Sequence, residues 1–325
     1  MSTFPDGLYQ WGGVPVGSGQ IPVTYGNYYF VDYDNGADGN SGKRMDKAKK
    51  TVLAAYNLTT TNNNDVIVLS ANTAHPITEM LTVSKNRVHF VGLDGGGRQT
   101  GHGARLVMAS TGVATDLATV KVTGVRNSFT NIKIESTSTT TASLYALIDA
   151  GEYTCYKNCS FIERGDLATT TAADVVGEGD STTWINCEFG AATQLTTVAR
   201  TTLLIDKIVG STGMLDNNFF NCNFVCYTTS PTQTLVHVKA AGDGQRYAMF
   251  RGCLFLNWDL AAGGTALTNA IYAPSGSELY LILDANCIAV GCGKIATSTN
   301  NAGVYICAPV PTTTTSGISV NAAAS

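Results

Sequence analysis

The sequence predicts an all-β chain, a parallel β-helix of about seven to eight coils with an N-terminal capping helix and an extended N-terminal arm. Three observations predict it. One phrase, in full form aromatic–x–Asn–Cys–x–Phe, is written four times: YKNCSFIE from Tyr156, WINCEFGA from Trp184, FFNCNFVC from Phe219 and FRGCLFLN from Phe250, the last with Gly252 in place of Asn. The marker cysteines Cys159, Cys187, Cys222, Cys253 and Cys287 follow one another at 28, 35, 31 and 34 residues, an interval typical of repeat architectures. Between the phrases lie short apolar runs broken by Gly, Asp and Asn (ALIDAGEY, ADVVGEGD, LLIDKIVG, LVHVKAAG). They read as strands and turns, without the 3.6-residue period that a helical solenoid requires.

Residues 1–27 form the arm. They hold three Pro, several Gly and the aromatics Phe4, Tyr9, Trp11 and Tyr25. Such a segment has too little apolar sequence to build its own core, and its aromatics suit burial on a partner. Residues 28–64 contain an opening strand, an Asn/Asp/Gly-rich loop and the expected helix MDKAKKTVLAAYNL (45–58). Ala48, Val52 and Ala55 fall on one stripe with Leu53 and Tyr56 beside it, and Lys43, Arg44, Lys47 and Lys49 crowd its start. A solenoid exposes an apolar end that needs a cap, and this helix is placed to be it.

Residues 65–295 are the rod. DVIVLSA reads as a strand buried on both faces, and LTV and RVHFVG as two strands joined at Lys85-Asn86. Within each phrase Cys and Phe share one face. Cys159, Cys187, Cys222 and Cys253 therefore form an interior column, with Phe161, Phe189, Phe224 and Phe255 stacked alongside. Asn131, Asn158, Asn186, Asn221 and Asn286 precede the marker position and fall at a bend where their amides can bond along the stack. Seven or eight coils give a rod on the order of 35 Å long. Residues 296–325 are a Thr/Ala/Ser-rich extension.

The stretch YYFVDYDNGADGNSG followed by KAKKTVLAAYN resembles the opening of right-handed, pectate-lyase-like β-helix proteins, and the NCxF phrase is shared widely among them. The resemblance covers roughly residues 28–295 and implies a right-handed helix. Openings of this kind, behind a Gly/Pro-rich arm, are also similar to bacteriophage virion proteins. The resemblance supplies no catalytic motif that can be carried over residue by residue.

The chemistry legible in the chain is sparse. A formal charge of −4 gives no footprint for a nucleic acid or an anionic membrane, and no run of about eighteen apolar residues spans a bilayer. The first residues show neither a basic n-region nor an apolar h-region, so synthesis in a host cytoplasm and residence in a virion are expected. The nine cysteines, Cys155, Cys159, Cys187, Cys222, Cys226, Cys253, Cys287, Cys292 and Cys307, are odd in number and lack CxxC or CxxH spacing. Reduced thiols are expected, with no metal site and no cofactor.

A glycosidase would need two carboxylates about 5–9.5 Å apart. Asp149 with Glu178 or Asp180, and Asp206 with Asp243, are the candidate pairs. Acids beside Gly also make turns, and the expectation is that these five are turn or surface residues. Arg126, Arg164 and Arg246 are candidate bases without an acid cluster beside them. The four histidines, His75, His89, His102 and His237, are scattered; His89 and His237 read as strand residues, and His102, in the Gly-rich loop 95–103, as the most exposed one. The expected function is a structural virion protein, a capsid decoration bound through its arm to the major capsid protein or another virion protein, as a homotrimer. The alternative is a tailspike-like protein that binds or depolymerises host-surface carbohydrate, with Trp258 and Tyr272 as stacking aromatics.

Overall fold

The computed structural model describes residues 10–11, 14–15, 24–93, 102–108, 117–138, 143–163, 170–207, 213–259, 264–296 and 304–307. The chain winds as a parallel β-helix with three sheets of ten, eight and seven strands. One coil is typified by Cys155–Lys157 in the first sheet, Ser160–Glu163 in the second and Ala173–Gly177 in the third. The coils stack in parallel, so Cys155 pairs with Thr183, Ser160 with Glu188 and Ala173 with Thr201. The seven-stranded sheet sets the number of coils that carry all three faces; partial coils extend the other two sheets beyond it.

The repeated phrase builds the corner between the first and second sheets. Asn131, Asn158, Asn186 and Asn221 each adopt a left-handed φ between 51° and 56°, and Gly252 takes the same role at 61°. Asn and Gly tolerate that conformation better than other residues, so one residue turns the corner. The amides then bond along the stack: Asn158 Nδ2 donates to Asn131 Oδ1 at 3.1 Å, and Asn186 Nδ2 to Asn158 Oδ1 at 3.3 Å. A Cβ at Gly252 would lie 2.6 Å from Asn221 Oδ1, which explains the substitution at that coil. Asn286 departs from the column and closes a turn on Asp284, whose Oδ1 accepts its backbone N–H at 3.1 Å.

The next residue explains the cysteine. Each thiol lies inside and donates to the carbonyl of the aromatic residue one coil earlier: Cys187 to Tyr156, Cys222 to Trp184, Cys253 to Phe219 and Cys287 to Phe250, at 3.4–3.6 Å. A small apolar side chain with a weak donor suits this position. Cys155, Cys159, Cys187, Cys222, Cys226, Cys253, Cys287 and Cys292 are free thiols. Two aromatic ladders fill the adjacent interior. Phe90, Phe129, Tyr156, Trp184, Phe219 and Phe250 stack with centroids 4.1–5.8 Å apart. Phe161, Phe189, Phe224 and Phe255 form the second ladder at 4.6–5.4 Å. Stacked pairs of this kind contribute about 0.5–1.5 kcal/mol each beyond burial.

The N-terminal end is closed by a shorter helix than the sequence suggests. Met45–Lys47 is a 3₁₀ turn, and the α-helix spans Val52–Leu58. The intervening residues are extended because Lys49 bridges to Val31 and donates its N–H to Phe30 O at 2.8 Å. Thr51 then caps the helix, its hydroxyl accepting from Ala54 N at 3.2 Å. Val52, Ala55 and Tyr56 face inward, and the Tyr56 ring continues the first ladder beyond Phe90. Leu53 remains 37% exposed. The basic cluster is not a helix face: Lys43 bonds Asn27, Arg44 pairs with Asp46 and Lys49 bonds Asp38 O.

Candidate functional site

The five nominated acids do not share one environment. Asp149 ends the strand Tyr145–Asp149 and is fully buried, in register with the core residues Gly177, Ile205 and Val238. Its Oδ1 accepts from Tyr156 Oη at 3.0 Å and its Oδ2 from Thr182 Oγ1 at 2.9 Å. Burial pushes its pKa up to about 7 despite these bonds. Glu178 is also buried. The expectation that all five are turn or surface acids is therefore corrected for these two and for Asp206, which is buried as well: the strand runs to Asp149 before the chain turns, and Glu178 and Asp206 each follow directly on a strand buried throughout.

Across coils, the strand register runs Ala150, Glu178, Asp206, Lys239 at the position after each third-sheet strand. The third sheet thus aligns Glu178 with Asp206, whereas Asp149 is bonded into the interior. Asp206 Oδ2 accepts from Lys239 Nζ at 2.5 Å. Tyr145 nearby is held up to about 12, first by burial and then by Asp206 and Glu178. Asp180 Oδ1 accepts from the Ser181 hydroxyl at 2.8 Å, and Asp243 Oδ2 from Ala240 N at 2.6 Å. Asp243 closes a four-residue turn that begins at Ala240.

A constellation that the sequence reading did not single out lies at the corner between the second and third sheets. Glu163, the last residue of its strand, is ion-paired with Arg200, and both side chains are buried. Asp174 Oδ1 accepts from Glu163 N at 2.7 Å. Ile162, Tyr227 and Gln233 are among the other residues that line a cleft here. Glu163 and Arg200 are 37 residues apart and belong to no local motif; only the coil register brings them together. Removing one partner of a buried pair strands the other, which typically costs 3–5 kcal/mol, so the pair clamps this corner.

The remaining candidates are dispersed. Arg126 stacks on Tyr153 and Arg246 pairs with Asp216, while Arg164 lies outside the described residues. His75 is buried with Nε2 2.9 Å from Ser70 O, and His89 Nδ1 is 2.8 Å from Ser128 Oγ. His102 is buried, contrary to expectation; flanking glycines do not decide whether a ring is covered. His237 stacks on Tyr272 at 4.8 Å, and its pKa is lowered by burial. Trp258 is half exposed. Among the described residues no group of three His, Cys, Asp or Glu is placed to hold a metal, and no helix is long and apolar enough to cross a membrane.

In the arm, Gln10–Trp11 pairs antiparallel with Val14–Pro15, and Phe4 and Tyr9 lie outside the described residues. From Thr24 the chain is bonded to the rod, Thr24 Oγ1 donating to Asn64 O at 2.6 Å. Tyr25 is fully exposed.

No protein-family pattern matches this sequence, and no curated protein matches it. Solved structures share its fold. The pectin methylesterase of Aspergillus niger, in deglycosylated form, superposes with a TM-score of 0.55 at 16% identity, covering 88% of this chain and 86% of that one. Pectate lyase Pel9A gives 0.55 at 12%, over 87% of this chain and 75% of that one. The ORF18 protein of Geobacillus virus E2 gives 0.50 at 11%, over 79% of this chain and 56% of that one. At these identities the likeness establishes the pectate-lyase-like β-helix fold.

Proposed function

We propose that the chain is a structural protein of a bacteriophage virion, a β-helix rod that decorates the capsid and binds the major capsid protein or a neighbouring virion protein through its N-terminal arm. The observation that carries this reading is how the candidate acids are engaged. Asp149, Asp180, Asp206 and Asp243 are all tied into bonds within the rod, where they serve its stability. The fold shared with a Geobacillus virus protein supports a viral setting. A homotrimer, three rods side by side, is part of the proposal. Phe4, Tyr9, Trp11 and Tyr25 are its anchors, since aromatic residues dominate interface energies.

The test is incorporation of the full-length chain into particles. Wild type should co-purify with virions at fixed stoichiometry, measured by mass spectrometry. The Phe4→Ala, Tyr9→Ala, Trp11→Ala, Tyr25→Ala variant should fold with the same circular-dichroism spectrum and be lost from particles. Normal occupancy by that variant would place attachment elsewhere.

A second reading, recognition of host-surface polysaccharide, is favoured by aromatic side chains that the rod turns outward near its C-terminal end. Tyr280 and Tyr305 are 47% and 49% exposed.

A further inference from the structure

The outer face of the first sheet changes character along the rod. One outward column reads His89, Ser128, Cys155, Thr183 and Asn218 through the earlier coils, then Met249, Ile282 and Tyr305 in the last three strands. Beside it, Tyr247 pairs in register with Tyr280, and the Tyr280 and Tyr305 rings meet at 5.6 Å. The interior does not require these residues: Ala248, Phe250, Leu281 and Leu283 fill it from the same strands. An aromatic, aliphatic face on a soluble rod marks a contact surface.

Its dimensions and rim select the occupant. Three neighbouring strands by the three residues of strand from Tyr247 to Met249 cover about 14 Å by about 10 Å, well under the roughly 800 Å² per partner of a stable protein interface. Charges of both signs surround it, with Arg251 Nε donating to Met249 Sδ at 2.9 Å, and neither sign dominates. Arg246 is paired with Asp216, Gln245 Nε2 donates to Glu278 at 3.1 Å, and Asp284 accepts from Gly252 N and Asn286 N. Such a strip suits a narrow, neutral ligand with apolar ring faces and hydroxylated edges. A pyranose ring lays its C–H face on an aromatic ring and directs hydroxyls to a polar rim. The coil repeat of about 4.8 Å is close to the length of one sugar ring in an extended glycan.

We propose that Tyr247, Tyr280 and Tyr305, with Met249 and Ile282, form a binding strip for a neutral glycan lying along the rod axis, about one ring per coil. The inference rests on the polysaccharide reading above and gives it a place. The experiment uses the full chain on an array of bacterial surface polysaccharides with cellohexaose and chitohexaose as defined probes, followed by calorimetric titration of the ligands bound. Tyr280→Ala with Tyr305→Ala should weaken binding about tenfold or more, and Tyr→Phe at both positions should keep it within about threefold. Melting temperatures should stay unchanged, because both rings stand outside the core. A glycan bound equally well by the double alanine variant would place the site elsewhere and overturn the strip while leaving carbohydrate recognition standing. Failure of the wild-type chain to bind any glycan would overturn both.

Discussion

Replacing Asp149 by Asn should abolish the pH dependence that this carboxyl imposes on the rod. Asp149 is buried among core side chains, and burial lifts its pKa from 3.8 to about 7, while bonds from Thr182 and Tyr156 oppose the shift and Glu178 adds to it. A raised carboxyl pKa means that the folded state binds the proton more tightly than the unfolded state does. Its stabilising contribution is therefore full below pH ~4 and declines as pH rises, by up to about 1.4 kcal/mol per unit, until it is lost above pH ~7. A shift of about three units corresponds to about 4 kcal/mol across that window. Asn keeps the shape and cannot ionise, and its amide needs one of the two hydroxyls to turn round and accept, a mismatch of about 1 kcal/mol. The variant should then be more stable than wild type by about 3 kcal/mol at pH 8 and slightly less stable at pH 4. Urea unfolding followed by tryptophan fluorescence reports the difference, since Trp184 stacks directly on Tyr156. A stability difference between the two proteins that is the same at pH 4 and pH 8 would refute the reasoning.

Two further outcomes follow from the corners. Asn158→Ala should destabilise by about 2–4 kcal/mol, from a left-handed φ and two amide bonds, whereas Asn158→Gly should lose only the bonds; equal losses in denaturant titrations would mean that backbone conformation does not select the residue. Arg200→Met should destabilise by about 3–5 kcal/mol by removing the cation that faces the buried Glu163 carboxylate, and adding Glu163→Gln should restore most of that loss, with failure of the second change to rescue in thermal unfolding counting against a buried ion pair.

What was legible in the sequence follows from how strongly the interior constrains residue type. The Asn–Cys step is readable because a one-residue corner demands a left-handed φ and the next side chain must be small, apolar and able to donate to a carbonyl. Few residues satisfy both, so the phrase recurs almost letter for letter. The third sheet is readable for a weaker reason: Ala173–Gly177 and Thr201–Ile205 are buried throughout and show short apolar cores, Val175-Val176 and Leu203-Leu204-Ile205, beside the polar Asp174, Thr201 and Thr202. The helix is shorter than its amphipathic stripe because such a stripe records which side chains are covered, and Ala48 is covered beside Phe30 of the opening strand as well as it would be in a helix.

The outer surface obeys no comparable rule, and the candidate sites lie there or at its corners. Asp149 precedes Ala-Gly, as a turn acid would, yet it closes a strand and faces inward. Glu163, Asp174 and Arg200 come from segments with no common motif: one corner brings Glu163 to Asp174, and coil stacking adds Arg200. Whether Tyr247 faces in or out depends on one extra residue, because the register between neighbouring coils slips beside Asp216 and Arg246 takes a φ of 63°. A bulge of that kind shifts every side chain beyond it by one place in the alternation. It leaves no compositional trace, so the aromatic strip becomes visible only when the coils are laid one on another. Repetition thus announces the fold, while the positions that distinguish this rod from others of its fold are those the repetition leaves unconstrained.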